Sequence, residues 1–180
     1  MIYMFLANGF EETEAIAPLD LLVRAGADIK TVAVGCGGRT VVGAHGIAVT
    51  ADITEDEVVC GDIDMVILPG GLPGATNLDE SKTVDAALAY ASEKGAYLAA
   101  ICAAPMILGK RGYLRGKRAT CYPGFEGYLE GALTVPAKVV RDRNIITAVG
   151  MGAALEFGLE LVEALYGKET ADNLRNSTKI

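Results

Sequence analysis

What most constrains this chain is the regular alternation of short apolar runs with segments of helical period. Ile2–Ala7 and Tyr97–Ile101 are apolar from end to end. Successive side chains of a strand point to opposite faces, so an uninterrupted apolar strand must be covered on both. Ile29–Val34 and Met65–Leu68 read as further strands of the same sheet. Between them, Ala15, Ile16, Leu19, Leu22 and Val23 fall on one helical face, ending at Gly26. Val84, Ala87, Leu88 and Ala91 form a second helical stripe, stopped near Gly95. A third runs through Leu155, Gly158, Leu159, Val162, Leu165 and Tyr166 to Gly167, and a shorter helix follows from Lys168 to Arg175. Thr40–Val42 with Ile47–Thr50, and Val139–Arg141 with Ile145–Val149, read as hairpins. A strand is predicted at Arg118–Cys121 in the loop-rich stretch from Gly112 to Gly131. The rhythm predicts one α/β domain over residues 1–180, with a mainly parallel central sheet and helices on both faces.

The 180 residues suffice for a real core, and at 51% hydrophobic the chain is not a disordered one. A net charge of −7 argues against nucleic acid or an anionic membrane as partner. The basic cluster Lys110, Arg111, Arg115, Lys117 and Arg118 reads as a solvated helix end and loop. The apolar N-terminus is too short for a signal peptide and lacks a basic flank, and no apolar stretch reaches membrane-spanning length. A cytoplasmic location is expected. Cys36, Cys60, Cys102 and Cys121 are widely spaced, so free thiols are expected. With one histidine, His45, no metal site and no cofactor is expected.

Open parallel sheets bind ligands at the carboxyl ends of their strands. Three segments fall there: Asn8–Glu14, Gly70-Gly71 and Cys102. Cys102 sits between the apolar run and Ala103–Leu108, which reads as a helix start. Helix N-terminal amides would favour a thiolate and hold a developing oxyanion. An inert cysteine in an alanine-rich corner is the alternative reading. Glu11 and Glu12 suit the start of a helix. Glu14, just ahead of the buried stripe, either shares that role or turns inward as a general acid or base for the thiol. Gly70 and Gly71 are a turn, or a place where backbone approaches a ligand closely. Cys121 and Tyr122 are either core or pocket lining. His45 reads as a turn residue. Gly150-Met151-Gly152 fails as a dinucleotide fingerprint, because Leu155 occupies the third position.

Taken in order, Glu11-Glu12-Thr13-Glu14, Pro18-Leu19-Asp20, Leu68-Pro69-Gly70-Gly71, Ala100-Ile101-Cys102-Ala103-Ala104-Pro105 and Val162–Glu169 resemble the ThiJ/PfpI superfamily, in the branch of the parkinsonism-associated protein deglycase. The similarity covers nearly the whole chain. It implies a flavodoxin-like three-layer sandwich of the class I glutamine amidotransferase type, and a homodimer. It implies Cys102 as reactive thiol, Glu14 as its carboxyl partner, and the Gly71 and Ala103 amides as oxyanion site. Gly70, Tyr122 and Cys121 would line the pocket. Relatives often carry histidine where this chain has Tyr122, and tyrosine is a poor base near neutral pH. Peptidase members place histidine directly after the cysteine, where this chain has Ala103. His45 and Val149 stand where relatives can carry an arginine pair. The resemblance implies a cysteine-dependent enzyme acting on a small aldehyde or a glycated substrate, as a glutathione-independent glyoxalase or deglycase. An oxidative-stress sensor or chaperone using Cys102 oxidation is the alternative, and a cysteine peptidase a weaker one. Older descriptions also link the family to thiamine thiazole biosynthesis.

Overall fold

The computed structural model describes residues 1–180. Its strands are β1 (Ile2–Ala7), β2 (Ile29–Val34), β3 (Thr40–Val42), β4 (Ala48–Thr50), β5 (Ile53–Thr54), β6 (Met65–Leu68), β7 (Tyr97–Ile101), β8 (Arg118–Ala119), β9 (Leu133–Thr134), β10 (Val139–Asp142) and β11 (Ile145–Ala148). Its helices are α1 (Glu12–Arg24), α2 (Gly74–Asp79), α3 (Lys82–Lys94), α4 (Pro105–Lys110), α5 (Ala154–Tyr166) and α6 (Lys168–Thr178). Seven strands form one sheet in the order β10-β11-β7-β6-β1-β2-β5. Every pairing in it is parallel except that of β10 with β11.

The apolar run of β1 shows why the sheet is central. All six residues are buried. Tyr3, Phe5 and Ala7 join one core together with residues of α2, α3 and α4. Ile2, Met4 and Leu6 join the other, beneath α1, α5 and α6. This is the three-layer α/β arrangement expected. Each large side chain so buried contributes about 1.5–3 kcal/mol relative to exposure, and Phe5, Phe10 and Phe157 are fully covered. No helix is long and apolar enough to cross a membrane.

Three local expectations change. The stripe buried on α1 is Ala15, Pro18, Leu21 and Leu22, whereas Ile16 and Val23 are 40% and 58% exposed. The reason is nonlocal. Gly158 of α5 approaches so closely that a Cβ there would stand 2.8 Å from Pro18 Cα, which selects the Pro18 side of α1 as the buried one. The helix expected from residue 103 begins at Pro105, because Cys102 to Ala104 form a tight turn first. Proline then suits the first helical position, where no intrahelical N–H is needed. Finally, the strand predicted at 118–121 stops at Ala119.

Candidate active site

Cys102 follows β7 directly and adopts a left-handed backbone conformation, φ 65°. For a residue with a Cβ this costs about 1–2 kcal/mol. The turn is fixed on both sides: the Cys102 N–H donates to the Ala148 carbonyl at 2.9 Å, and its carbonyl accepts from the Tyr122 N–H at 2.8 Å. The conformation lifts the side chain off the sheet into a partly exposed position, as at a nucleophile elbow.

Gly70 and Gly71 carry the chain past this side chain from the end of β6. A Cβ on Gly70 would lie 2.6 Å from Cys102 Cβ and 2.6 Å from Glu14 Oε2, so only glycine fits between the pair. Gly71 has φ 84°, and a Cβ there would stand 2.3 Å from the Glu11 nitrogen. The Gly71 and Ala103 amides face the Cys102 sulfur.

Glu14 lies in the first turn of α1 and is 1% exposed. The capping role belongs to Glu11, whose Oε2 accepts the Glu14 N–H at 2.7 Å. This frees the Glu14 side chain to point inward. Its Oε2 accepts the Gly70 N–H at 3.0 Å, while Oε1 is buried without a hydrogen-bond partner. The Cys102 thiol and the Met151 amide also face this carboxyl. An unsatisfied buried carboxylate oxygen is costly. Protonation relieves it.

The electrostatics agree. Burial, aided by the Glu11 charge, pushes Glu14 from 4.5 up to about 7, against the Cys102 and Gly70 contacts that favour ionisation. Burial and then the Glu14 charge push the Cys102 thiol up to about 12, against the Gly71 and Ala103 amides. The expected helix N-terminus at the sulfur is corrected, because α4 begins only at Pro105. The Gly71 and Ala103 amides face the sulfur and a carboxyl sits beside it, so charge on sulfur depends on Glu14 holding the proton. The pair titrates as a unit and holds a single proton between neutral and strongly alkaline pH.

The other predicted site residues are placed as follows. Tyr122 is half exposed, with its ring against Gly150, where a Cβ would be 3.3 Å from Cδ2. Cys121 belongs to the core of the opposite sheet face from Cys102 and lines a separate cavity, so the two thiols do not share a pocket. His45 is held at the surface by Glu12, with Nδ1 2.7 Å from Glu12 Oε2. Burial would raise the Glu12 carboxyl, but hydrogen bonds from His45, its own amide and the His45 and Ile47 amides outweigh it and lower it to about 2. Glu11, Glu12 and His45 cluster closely enough to suggest a cation site. Each is already engaged within the chain: Glu11 as cap, Glu12 and His45 with each other. The sequence reading missed Gly150 and Met151 as neighbours of Glu14. It weighed them only as a nucleotide fingerprint, although a glycine ending the strand beside β7 was a usable signal.

Fold and site together define a flavodoxin-type α/β protein that sets a cysteine–glutamate pair at the carboxyl ends of its central strands. Residues 1–164 match the DJ-1/PfpI family, and the chain belongs to it. Within that family its relatives are DJ-1 proteins, as the motifs suggested. It is 39% identical over 168 residues to Protein dj-1beta of Drosophila melanogaster, covering 92% of this chain and 89% of that one. It is 38% identical to Protein DJ-1 homolog A of Arabidopsis thaliana, over 94% of this chain. It spans only 44% and 38% of the length of the two Arabidopsis homologs, A and B. A protein of Caenorhabditis elegans named glutathione-independent glyoxalase DJR-1.2 is 33% identical over 91% of this chain and 87% of its own. Among solved structures, a cysteine-to-alanine mutant of a DJ-1 superfamily protein from Salmonella typhimurium superposes with a TM-score of 0.92 at 34% identity, covering 99% and 97% of the two chains. Toxoplasma gondii DJ-1, in an oxidized form, superposes with a TM-score of 0.90 at 33% identity, covering 98% and 96%.

Proposed function

We propose that this chain is a cysteine-dependent enzyme acting on small reactive carbonyls without glutathione, with Cys102 as nucleophile and Glu14 as proton shuttle. The observation that carries the reading is the buried Glu14 carboxyl, raised to about 7 by burial and facing the Cys102 thiol. A carboxyl with that affinity for protons gives one up and takes one back near neutral pH. The naming of the nematode relative as a glyoxalase supports the same reaction class.

With methylglyoxal as substrate, the Cys102 sulfur forms a bond to the aldehyde carbon, and the pair's proton goes to the carbonyl oxygen, giving a hemithioacetal. The Gly71 and Ala103 amides, which face the sulfur, hold the negative charge as it passes from sulfur to oxygen. Glu14, now a carboxylate, removes the proton from the former aldehyde carbon and returns it to the neighbouring carbon, while the hydroxyl proton on the first oxygen passes to the neighbouring oxygen through the enediol. The result is a thioester of a 2-hydroxy acid. Water then cleaves the sulfur–carbon bond and restores the thiol. The sum is methylglyoxal plus water to lactate, with no external oxidant or reductant. Lactate formation from methylglyoxal by the purified protein tests the reading. Cys102→Ala protein is expected to form none, and Glu14→Gln to lose about 10²–10⁴ in kcat. Equal turnover in the Cys102→Ala protein would overturn it.

One observation favours a second reading. Cys102 is partly exposed, and its structural relative from Toxoplasma is known in an oxidized form. A sensor function predicts that peroxide converts Cys102 to sulfenic and then sulfinic acid faster than Cys36, Cys60 or Cys121. Peptide mass spectrometry after graded peroxide decides this. A peptidase is disfavoured by Ala103 in the position after the nucleophile. A homodimer is part of the proposal, since Ile16 and Val23 leave an exposed apolar stripe on α1 beside Val49.

A further inference from the structure

A cavity of about 490 Å³ lies apart from the Cys102 pair, with neither Cys102 nor Glu14 in its wall. It exists because the short ladder of β8 and β9 breaks. Ala119 pairs with Thr134, and the Val135 N–H donates to the Ala119 carbonyl at 3.0 Å. The next rung would join the Cys121 N–H to the Val135 carbonyl. That carbonyl instead takes the Ala137 N–H at 2.9 Å, and the Cys121 N–H makes no hydrogen bond. Thr120, 5% exposed, spends its own N–H on Thr147 Oγ1 at 3.0 Å, while its hydroxyl has no partner in the chain. Thr120 and Cys121 therefore bring two unpartnered donors to the wall of one cavity. The Thr120 hydroxyl is not sealed in the core but opens onto the cavity, so an acceptor entering from outside the chain meets both donors.

The rest of the lining restricts what brings that acceptor. Val135, Pro136 and Val149 supply apolar walls, and Lys138 and Glu126 supply one charge of each sign. The Lys138 ammonium reaches Glu156 only at 3.4 Å, between two exposed side chains, so it is free to turn. Glu126 accepts the Gly124 N–H with Oε2 at 2.7 Å and has Oε1 to spare. A lone anion meets Glu126, and a lone cation meets Lys138. A molecule with both charges satisfies both, and the volume lies in the range of small-molecule sites.

We infer that this cavity binds a small zwitterion with apolar side chains, the chemistry of a free dipeptide. Its carboxylate lies against Lys138 and the Thr120 and Cys121 donors, its ammonium against Glu126, and its side chains against Val135, Pro136 and Val149. The site is independent of the Cys102 chemistry.

The test is calorimetric titration of the full chain with leucyl-leucine, N-acetyl-leucyl-leucine and leucyl-leucine amide. Saturable binding of the zwitterion is expected, about tenfold tighter than either derivative that lacks one charge. Thr120→Val, which removes the hydroxyl at nearly constant shape, should weaken leucyl-leucine about tenfold. Glu126→Gln, at an exposed position with little bearing on folding, should bring leucyl-leucine to the level of its N-acetyl derivative. Cys102→Ser should bind as the parent does. The inference is overturned by no saturation up to about 20 mM, by equal binding of all three peptides, by parent-like affinity in both Thr120→Val and Glu126→Gln, or by loss of binding in Cys102→Ser.

Discussion

Replacing Glu14 by glutamine should stabilise the protein above neutral pH and do nothing to stability in acid. In the unfolded chain Glu14 ionises at its ordinary 4.5, and in the fold it does so at about 7. Below the first value both states hold the proton, and its burial carries no penalty. Between the two, the folded state keeps a proton that the unfolded state has released, so stability falls as pH rises. Above the second, the folded state holds a desolvated carboxylate and the whole penalty is present. At 1.36 kcal/mol per pH unit, the displacement amounts to about 3 kcal/mol. The residue is 1% exposed, so solvent screening does not reduce it. Glutamine keeps an acceptor for the Gly70 N–H and carries no charge.

Urea denaturation of both proteins at pH 4.5, 6, 7 and 8.5 measures the difference directly, since every other titrating group cancels between them. The gap should open from near zero to about 3 kcal/mol, or about 6–12 °C in melting temperature for a chain of this size. In the parent the pair's second proton does not interfere, because it leaves far above the assay range. A gap that stays constant with pH, or a glutamine variant less stable at pH 8.5, would refute the claim that Glu14 is desolvated in the fold.

Gly70→Ala forces a Cβ to within 2.6 Å of both Cys102 Cβ and Glu14 Oε2, so it should abolish lactate formation and slow iodoacetamide labelling of Cys102 even in folded protein. Gly158→Ala places a Cβ 2.7 Å from Leu21 Cδ1 and 2.8 Å from Pro18 Cα; thermal melting should show a loss of about 1–3 kcal/mol from overpacking, with activity per folded molecule retained. Ile16→Glu combined with Val23→Lys, at positions 40% and 58% exposed, should leave the fold intact by circular dichroism and yield a monomer by light scattering. A dimer of unchanged mass would place the interface elsewhere.

The sheet was legible because both-face burial leaves an unmistakable mark: β1 is apolar at every position and buried at every position. The pairing of Cys102 with Glu14 was legible for a related reason. Strand ends fix where the following residues emerge, and β1 and β7 flank β6 in the parallel sheet, so both side chains converge over Gly70 at its end. What could not be read depended on contacts made elsewhere. Helix α1 is apolar on two stripes, and the choice between Pro18 and Val23 was made by Gly158, far along the chain. The facing of Cys121 was hidden because its segment leaves β8 after Ala119, where strand alternation no longer applies. The sulfur's surroundings were misjudged through a helix start two residues too early, which overstated the amides available to it.

Where the pair's single proton resides links the two proposed chemistries. If it sits on Glu14, the sulfur bears the charge and faces the Gly71 and Ala103 amides as well as the carboxyl O–H. If it sits on sulfur, the carboxylate has the Gly70 amide and the thiol. Addition to an aldehyde and attack on a peroxide both need the charge on sulfur. Both therefore draw on the same population, the singly protonated pair with its proton on Glu14. That population appears when the pair loses its first proton, near pH 7, and persists until the second leaves, far above pH 9. Values of kcat/KM for methylglyoxal and second-order rate constants for peroxide should then rise together with one apparent pKa of about 7 and stay level through pH 9. Iodoacetamide alkylation, which needs the same thiolate, should follow the same curve. In Glu14→Gln protein the carboxyl no longer titrates, and all three profiles should lose the step near 7. Two different apparent pKa values for carbonyl and peroxide would mean that the reactions use different ionised forms, and the single-proton account would fail.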